Sequence, residues 1–252
     1  MKKIILITGA TSGFGKAIAQ LFAKNKWNLI LTGRRKERLE QISKELEQKY
    51  SVKTLPLVFD VQDRNAVFTC IENIPEEWKG IAVLVNNAGL ALGREPFDKA
   101  DIDDWETMLN TNVKGLMYVT KAVLPFMIPQ QKGHIINIGS IAGKEVYVNG
   151  NGYCASKHAV DALSKAMRID LLPHKIKVTA IHPGAAETEF SLVRFKGNKT
   201  TAKSVYEGYT PLYAEDIANI TYYCATLPAH VCINELIVTS TAQANSATFY
   251  KE

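Results

Sequence analysis

Short, nearly continuous apolar runs alternate along this chain with longer stretches in which apolar residues recur every three or four positions. The runs are KIILIT (3–8), NLILTG (28–33), TLPLVFD (54–60), IAVLVNNAG (81–89), HIINIGS (134–140), IKVTAIHPG (176–184) and NELIVTS (234–240). They are rich in β-branched residues and too continuous for half-exposed strands, which predicts parallel strands covered on both faces. The intervening spacing predicts helices over 14–25, 36–49, 63–73, 101–127, 152–171 and 214–226. Repeated strand–helix alternation implies an α/β fold, a doubly wound parallel sheet of about seven strands with helices on both faces. No low-complexity linker or composition break divides the chain, so residues 1–252 read as a single domain. The polar tail QANSATFYKE (243–252) is expected to be loosely held or to pack on another subunit.

Composition narrows the class without choosing a function. Of the 252 residues, 46% are hydrophobic and 22% charged, the ordinary balance of a globular protein. The net charge is +5, but the 30 Lys and Arg are scattered among 25 acids. The densest basic cluster, GRRKER (33–38), is short and carries Glu37, so no nucleic-acid partner is expected. Cys70, Cys154, Cys224 and Cys232 lack CxxC spacing and read as free thiols of a cytoplasmic protein. No apolar run reaches membrane-spanning length, and MKKIILITGATSG is too short and glycine-broken for a signal peptide. His134, His158, His174, His182 and His230 show no ligand spacing, so no metal is expected.

Two local patterns carry chemistry. In ITGATSGFGKAIAQLFA, Gly9, Gly13 and Gly15 fall between the first strand and the first helix. Glycines there permit a tight turn and close approach of backbone to a pyrophosphate, which the free N–H groups of the next helix then face. In NGYCASKHAV (151–160), Tyr153 and Lys157 lie four positions apart, one turn along one helix face. An ammonium beside a phenol favours the phenolate and brings acid–base chemistry toward neutral pH. Cys154 points about 100° away and reads as a small packed residue.

TGxxxGxG at 8–15, NNAG at 86–89, Ser140 at a strand end, YCASK at 153–157 and the Pro-Gly pair at 183–184 occur in this order. Together, and over essentially the whole chain, they resemble the short-chain dehydrogenase/reductase family. TGRRKERL, NNAGLALGREPFDKADIDDWETMLNTN, TEFSLVRFKG and LPAHVCINEL are most similar to its NADP-dependent 3-hydroxy acid dehydrogenases, a group that includes serine and L-allo-threonine dehydrogenases. The resemblance implies a Rossmann-type fold and an oxidoreductase acting on CH–OH groups. Its expected reaction is hydride transfer between NADP(H) and the 3-hydroxyl or 3-keto group of a small hydroxy acid.

Residue by residue, the resemblance makes Tyr153 the general acid–base and gives Lys157 the tasks of lowering the phenol pKa and binding the nicotinamide ribose. Ser140 would donate to the substrate oxygen, and Asn112 would support a proton path to the lysine. Gly9, Thr11, Ser12, Gly13, Phe14 and Gly15 would cradle the cofactor phosphates. Asp60 and Val61 would meet the adenine, and Asn87, Ala88 and Gly89 its ribose. Pro183, Gly184 and Thr188 would contact the nicotinamide side. The resemblance also implies a substrate lid at about 185–212 and a homotetramer formed through helices 101–127 and 152–171.

Cofactor choice is legible after the second strand. An acid there would bind a ribose 2′-OH, but LTGRRK (31–36) has none, whereas Arg34 and Arg35 suit a 2′-phosphate. A helix start also disfavours cations that lack a partner. In the lid, Arg194 of SLVRFKG is the candidate for a substrate carboxylate, with Lys196 its competitor. HPGAAETEF departs from the family pattern by about one residue and is expected to put Glu187 near the nicotinamide end. The alternatives are an NADPH-dependent reductase of a 3-oxoacyl thioester or small ketone, and a catalytically silent NADP-binding regulator. The presence of Ser140, Tyr153 and Lys157 argues against the regulator.

Overall fold

The computed structural model describes residues 3–252. Its strands are β1 (Ile4–Ile7), β2 (Asn28–Gly33), β3 (Thr54–Val58), β4 (Ile81–Asn86), β5 (Gly133–Ile138), β6 (Ile176–Pro183) and β7 (Glu235–Val238). They form one sheet in the order β3-β2-β1-β4-β5-β6-β7, every pairing parallel. Because successive residues of a strand face opposite ways, Ile5 and Ile7 pack with α1 (Gly13–Lys24), α2 (Lys36–Tyr50) and α9 (Ala214–Thr226). Ile4 and Leu6 pack on the other side with α3 (Arg64–Glu72) and α5 (Leu116–Met127). This two-sided covering is what the near-continuous apolar runs require. The edges depart from that pattern: in β3 and β7 the residues are half-buried or exposed, since an edge strand has a neighbour on one side alone.

Between β1 and β4 the order of connection reverses, and both strands end in loops that open the same crevice. The run over 81–89 leaves the sheet at Asn86, because the Asn87 and Ala88 amides donate to the Thr8 hydroxyl, both at 2.9 Å. Asn87 Nδ2 also donates to the carbonyls of Thr8 and Gly9, at 2.8 and 3.2 Å, lacing the two loops together. A Cβ at Gly15 would collide with the Gly9 carbonyl, so glycine there is what lets α1 start directly against the loop.

The helix expected over 101–127 is interrupted. α4 (Ile102–Leu109) passes into a π-helical segment, Asn110–Gly115, before α5 resumes the regular winding. The widened turn coincides with Asn112, whose side chain binds the backbone of Leu90 instead of pointing to solvent. α6 (Asn151–Asp170) is continuous. Two short helices, α7 (Glu189–Arg194) and α8 (Lys199–Ser204), occupy the segment after β6. The polar tail folds back on the same chain: Glu252 N–H donates 2.8 Å to the Gly208 carbonyl, and the tilted rings of Phe249 and Tyr209 pack with centres 5.0 Å apart. Among the described residues, no helix is long and apolar enough to cross a membrane.

Candidate active site

A cleft of about 930 Å³ lies over the carboxyl ends of β1, β2, β4, β5 and β6, closed on its far side by α7 and α8. It brings together residues separated by nearly the whole chain.

At its floor, α6 presents Tyr153 and Lys157 on one face, both buried. The Tyr153 hydroxyl stands close enough to the Ser140 side chain for Ser140 to lower its pKa. Ser140 stands just beyond β5, where its Oγ accepts a 3.1 Å bond from Ala142 N–H and so caps a short 3₁₀ turn. Lys157 Nζ lies 5.9 Å from the Tyr153 ring centre and donates 3.0 Å to the Ile138 carbonyl. Burial lowers the Lys157 pKa to about 8. Burial raises the Tyr153 phenol, while the Ser140 side chain and the Arg194 charge pull it down less strongly. That direction is the reverse of the one expected from sequence, because burial outweighs the charges around the phenol and the expectation counted an oxidised nicotinamide as well as the ammonium.

Asn112 sits beside this trio. Its Oδ1 accepts from Leu90 N–H at 2.9 Å, while Nδ2 donates to the Leu90 carbonyl at 2.8 Å and to Ser156 Oγ at 3.0 Å. With every side-chain polar atom satisfied by protein, Asn112 props the Gly89–Leu90 loop against α6. Cys154 is a buried, packed residue, but it lies in the same cluster as Tyr153, with Met108, Ala142 and Tyr147 around it.

The other end of the cleft is polar and cationic. Gly9, Thr11, Ser12, Gly13, Phe14, Asn87, Ala88 and Gly89 line it, and Asp60 and Val61 border it. Both arginines of LTGRRK reach it, and both have protein partners. Arg34 pairs with Asp60 at 3.0 Å. Arg35 donates to Thr11 Oγ1 at 3.2 and 2.8 Å and to Ser12 Oγ at 2.9 Å, and it pairs with Glu189 at 3.2 Å. Glu189 also pairs with Arg38 at 2.9 Å. A helix start disfavours cations that lack a partner, and the α7 carboxylate of Glu189 supplies one within the protein. Sequence reading missed Glu189 and Arg38 because they meet across 151 positions.

The remaining candidates also line the cleft. Pro183, Gly184 and Thr188 do so from the turn after β6. Thr188 Oγ1 accepts from Phe190 N–H at 3.2 Å, which leaves its own hydroxyl proton free to donate. Glu187 is a correction: it faces a separate shallow cavity with Lys16 and Gln20, because its N–H bonds the Leu212 carbonyl and turns the side chain away. Lys196 is likewise turned out of the cleft, 2.9 Å from Asp104.

Arg194 is placed directly over the floor. Its guanidinium carbon lies 5.5 Å from the Tyr153 ring centre and 5.6 Å from that of Tyr147. Nε donates 3.3 Å to the Gly93 carbonyl and Nη1 2.9 Å to the Tyr147 hydroxyl, while buried Nη2 has no partner. Arg94 also stands over the Tyr147 ring, 5.8 Å from its centre. Tyr147 and Arg94 carry no motif, and only the folding of the turn before α6 against the Gly89–Gly93 loop reveals them.

The glycine loop against a helix start, with donors converging on both ends of the cleft, fits a dinucleotide. A doubly wound sheet with this cleft at its switch point and a buried Ser–Tyr–Lys set defines a Rossmann-type oxidoreductase. The chain belongs to the short chain dehydrogenase family, whose family model matches residues 3–198. It is 49% identical over 248 residues to sulfoacetaldehyde reductase 2 of Chromohalobacter salexigens, covering 98% of each chain. It is 45% identical over 251 residues to the NADP-dependent 3-hydroxy acid dehydrogenase of Schizosaccharomyces pombe, covering 99% of this chain and 97% of the other. Among solved structures, the closed form of serine dehydrogenase complexed with NADP+ superposes with a TM-score of 0.92 at 44% identity, covering 99% of both chains.

Proposed function

We propose that this chain is an NADP(H)-dependent dehydrogenase/reductase acting on the 3-hydroxyl or 3-keto group of a small hydroxy acid. The observation that carries the substrate class is Arg194: a buried, unpartnered Nη2 on a guanidinium that stands over the Tyr153 ring is suited to an anionic head group held beside the reacting carbon. NADP(H) agrees with the named cofactor of relatives that match nearly the whole chain.

The arrangement of the cleft supports a role for each residue. The glycine loop and the first turn of α1 would hold the nucleotide phosphates, with the Thr11 and Ser12 hydroxyls beside them. Arg34, Arg35 and Arg38 would hold the 2′-phosphate, and Asp60 and Val61 would bound the adenine. Asn87, Ala88 and Gly89 would flank its ribose, while Pro183, Gly184 and Thr188 would close the nicotinamide end. Bound NADP(H) supplies the hydride and, when oxidised, a positive ring beside the phenol. Tyr153 takes the hydroxyl proton in oxidation and returns one to the carbonyl in reduction. Ser140 donates to the same substrate oxygen and fixes its direction. Lys157 holds the nicotinamide ribose and, with the loop propped by Asn112, relays protons toward solvent. The segment 185–212 acts as the lid that carries Arg194 over the substrate and excludes water. We place the protein in the cytoplasm as a homotetramer; elution as a monomer at micromolar concentration would remove that part of the reading.

A second reading concerns the anion. The relative named sulfoacetaldehyde reductase and the second cation, Arg94, favour a sulfonate as well as a carboxylate. The test is a panel of initial rates: NADP+ with L-serine, L-allo-threonine, 3-hydroxybutyrate, 3-hydroxypropionate and uncharged alcohols, and NADPH with sulfoacetaldehyde. Preference for an uncharged alcohol over every anion would reject the substrate class.

A further inference from the structure

Beneath the floor of the cleft, a second set of ionisable groups converges from four elements. His182, in β6, is completely buried. Its Nδ1 stands 3.2 Å from the Ser140 carbonyl oxygen. A carbonyl only accepts, so this nitrogen carries the proton. Its Nε2 lies 3.6 Å from Asp161 Oδ1, in α6, without a hydrogen-bond partner. Lys144, just past the 3₁₀ turn that Ser140 opens, places Nζ 2.7 Å from Asp161 and 2.7 Å from Glu235 in β7. Lys165, exposed, pairs with the other Asp161 oxygen at 2.8 Å.

Asp161, His182 and Glu235 lie close enough to suggest a cation site, but the Lys144 ammonium already stands between the two carboxylates. What the set holds instead is the Ser140 turn. Its first residue is bound through the carbonyl by His182, and the residue that follows it, Lys144, is bound by Asp161 and Glu235. Gly139 makes the close approach feasible: a Cβ there would lie 2.5 Å from His182 Nδ1. Gly139 N–H also bonds the Ile181 carbonyl at 2.7 Å, so β5 and β6 are locked together at the point where Ser140 leaves the sheet.

We propose that His182 is a positioning residue for the reaction: by donating Nδ1–H to the Ser140 carbonyl it aims the Ser140 hydroxyl at Tyr153. This rests on the reading of Ser140 and Tyr153 given above. Burial, with the Lys144 charge adding to it, lowers the His182 pKa, which keeps the ring neutral with its single proton on the nitrogen the contact needs.

Two polar replacements separate the roles of the ring nitrogens. Asn at 182 puts an amide donor where Nδ1 stands, and Gln puts one nearer Nε2. The measurements are kcat and KM for NADP+ and 3-hydroxypropionate, NADPH affinity by fluorescence, and the ultraviolet titration of Tyr153 with NADP+ bound, using Tyr153→Phe as the blank. His182→Gln should lower kcat about tenfold or more, with NADPH affinity within twofold and the Tyr153 titration moved to higher pH, because the phenolate loses its aligned donor. His182→Asn should keep kcat within about threefold and leave the titration in place. Wild-type behaviour of His182→Gln, equal loss in both variants, or lost turnover with an unmoved Tyr153 titration would overturn the proposal. A turnover-competent Tyr153→Phe would instead reject the underlying reading, whatever the His182 variants do.

Discussion

Nη1 of Arg194 donates to the Tyr147 hydroxyl across 2.9 Å, joining the segment after β6 to the turn that precedes α6. The Gly93 N–H, 3.1 Å from the Arg194 carbonyl, makes a second tie to the same segment. The guanidinium is thereby held over two aromatic rings, each such contact adding about 0.5–2 kcal/mol according to its desolvation. Burial raises the Tyr147 phenol despite the Arg194 charge, so it stays a neutral hydroxyl partner at pH 7. The cation is thus preorganised over Tyr153, with one donor still uncommitted.

The first prediction concerns the phenol. Tyr153→Phe keeps the ring that packs 5.6 Å from Phe190 and removes only the hydroxyl beside Ser140. Turnover should fall about a hundredfold or more, the scale of a lost general acid–base, while NADP(H) affinity changes little. Lys157→Ala should weaken both, since the ammonium serves the ribose as well as the proton path. Near-normal turnover of Tyr153→Phe in initial-rate assays would reject this chemistry.

The second concerns cofactor choice, where Glu189 adds a term absent from any motif. Replacing Arg34 and Arg35 with Gln should raise KM for NADP+ about tenfold to a hundredfold relative to NAD+, as charge-assisted hydrogen bonds to the 2′-phosphate are lost. Glu189→Gln should act the other way. Its carboxylate holds Arg35 and Arg38 yet repels a phosphate, and partly exposed pairs are worth only about 0.2–1 kcal/mol, so NADP+ should bind a few-fold tighter at low salt. Titrations of both variants with both cofactors check this. An unchanged NADP+ preference in the double variant would reassign the arginines to the protein contacts they already make.

Much of this arrangement was readable before the fold was known, for a physical reason. Glycines at a strand–helix junction, a tyrosine and a lysine one turn apart, and an arginine pair after the second strand are local patterns whose geometry is set by one element. They brought Tyr153 and Lys157 to one face of α6 and put the glycine loop and the arginine pair in one cleft, where the structure has them. What stayed hidden depends on contacts between distant elements. Glu189 reaches Arg38, His182 reaches Ser140, and Tyr147 reaches Arg194 only because the sheet aligns the ends of β2, β5 and β6. The π-helical turn at Asn110–Gly115 was also invisible to a 3.6-residue period, since its cause is the grip of Asn112 on Leu90. Glu187 was misplaced because one backbone hydrogen bond to Leu212 decides which way it faces.

The third prediction concerns stability and pH. His134 in β5 is buried, with Nε2 2.8 Å from Thr179 Oγ1 and Nδ1 without a partner. Burial, helped by the Lys177 charge, lowers its pKa to about 3. A histidine held neutral in the fold takes up its proton only on unfolding, so its contribution is complete above about pH 6.5 and is lost progressively as pH falls toward 3. Between pH 7 and pH 5 the loss from this residue should be about 2 kcal/mol. In urea denaturation, His134→Gln should show a smaller drop over that range than the wild type. An equal drop in both would assign the acid sensitivity to other groups.

The last prediction returns to the cation over the floor. If Arg194 Nη2 receives the substrate's anionic group, then Arg194→Met, which keeps bulk over the Tyr153 and Tyr147 rings, should lower kcat/KM for 3-hydroxybutyrate by about tenfold or more while its methyl ester changes little. The ester is the control that separates charge recognition from shape. Met also loses the bonds to Tyr147 and to the Gly93 carbonyl, so any loosening of the lid weighs on acid and ester alike and cancels in their ratio. Lys at 194 refines the test, because it keeps the charge but not the planar fork, and should recover only part of the preference for the acid. Equal losses on acid and ester would mean that Arg194 shapes the lid without reading the charge. Wild-type preference for the ester would remove the acid substrate itself.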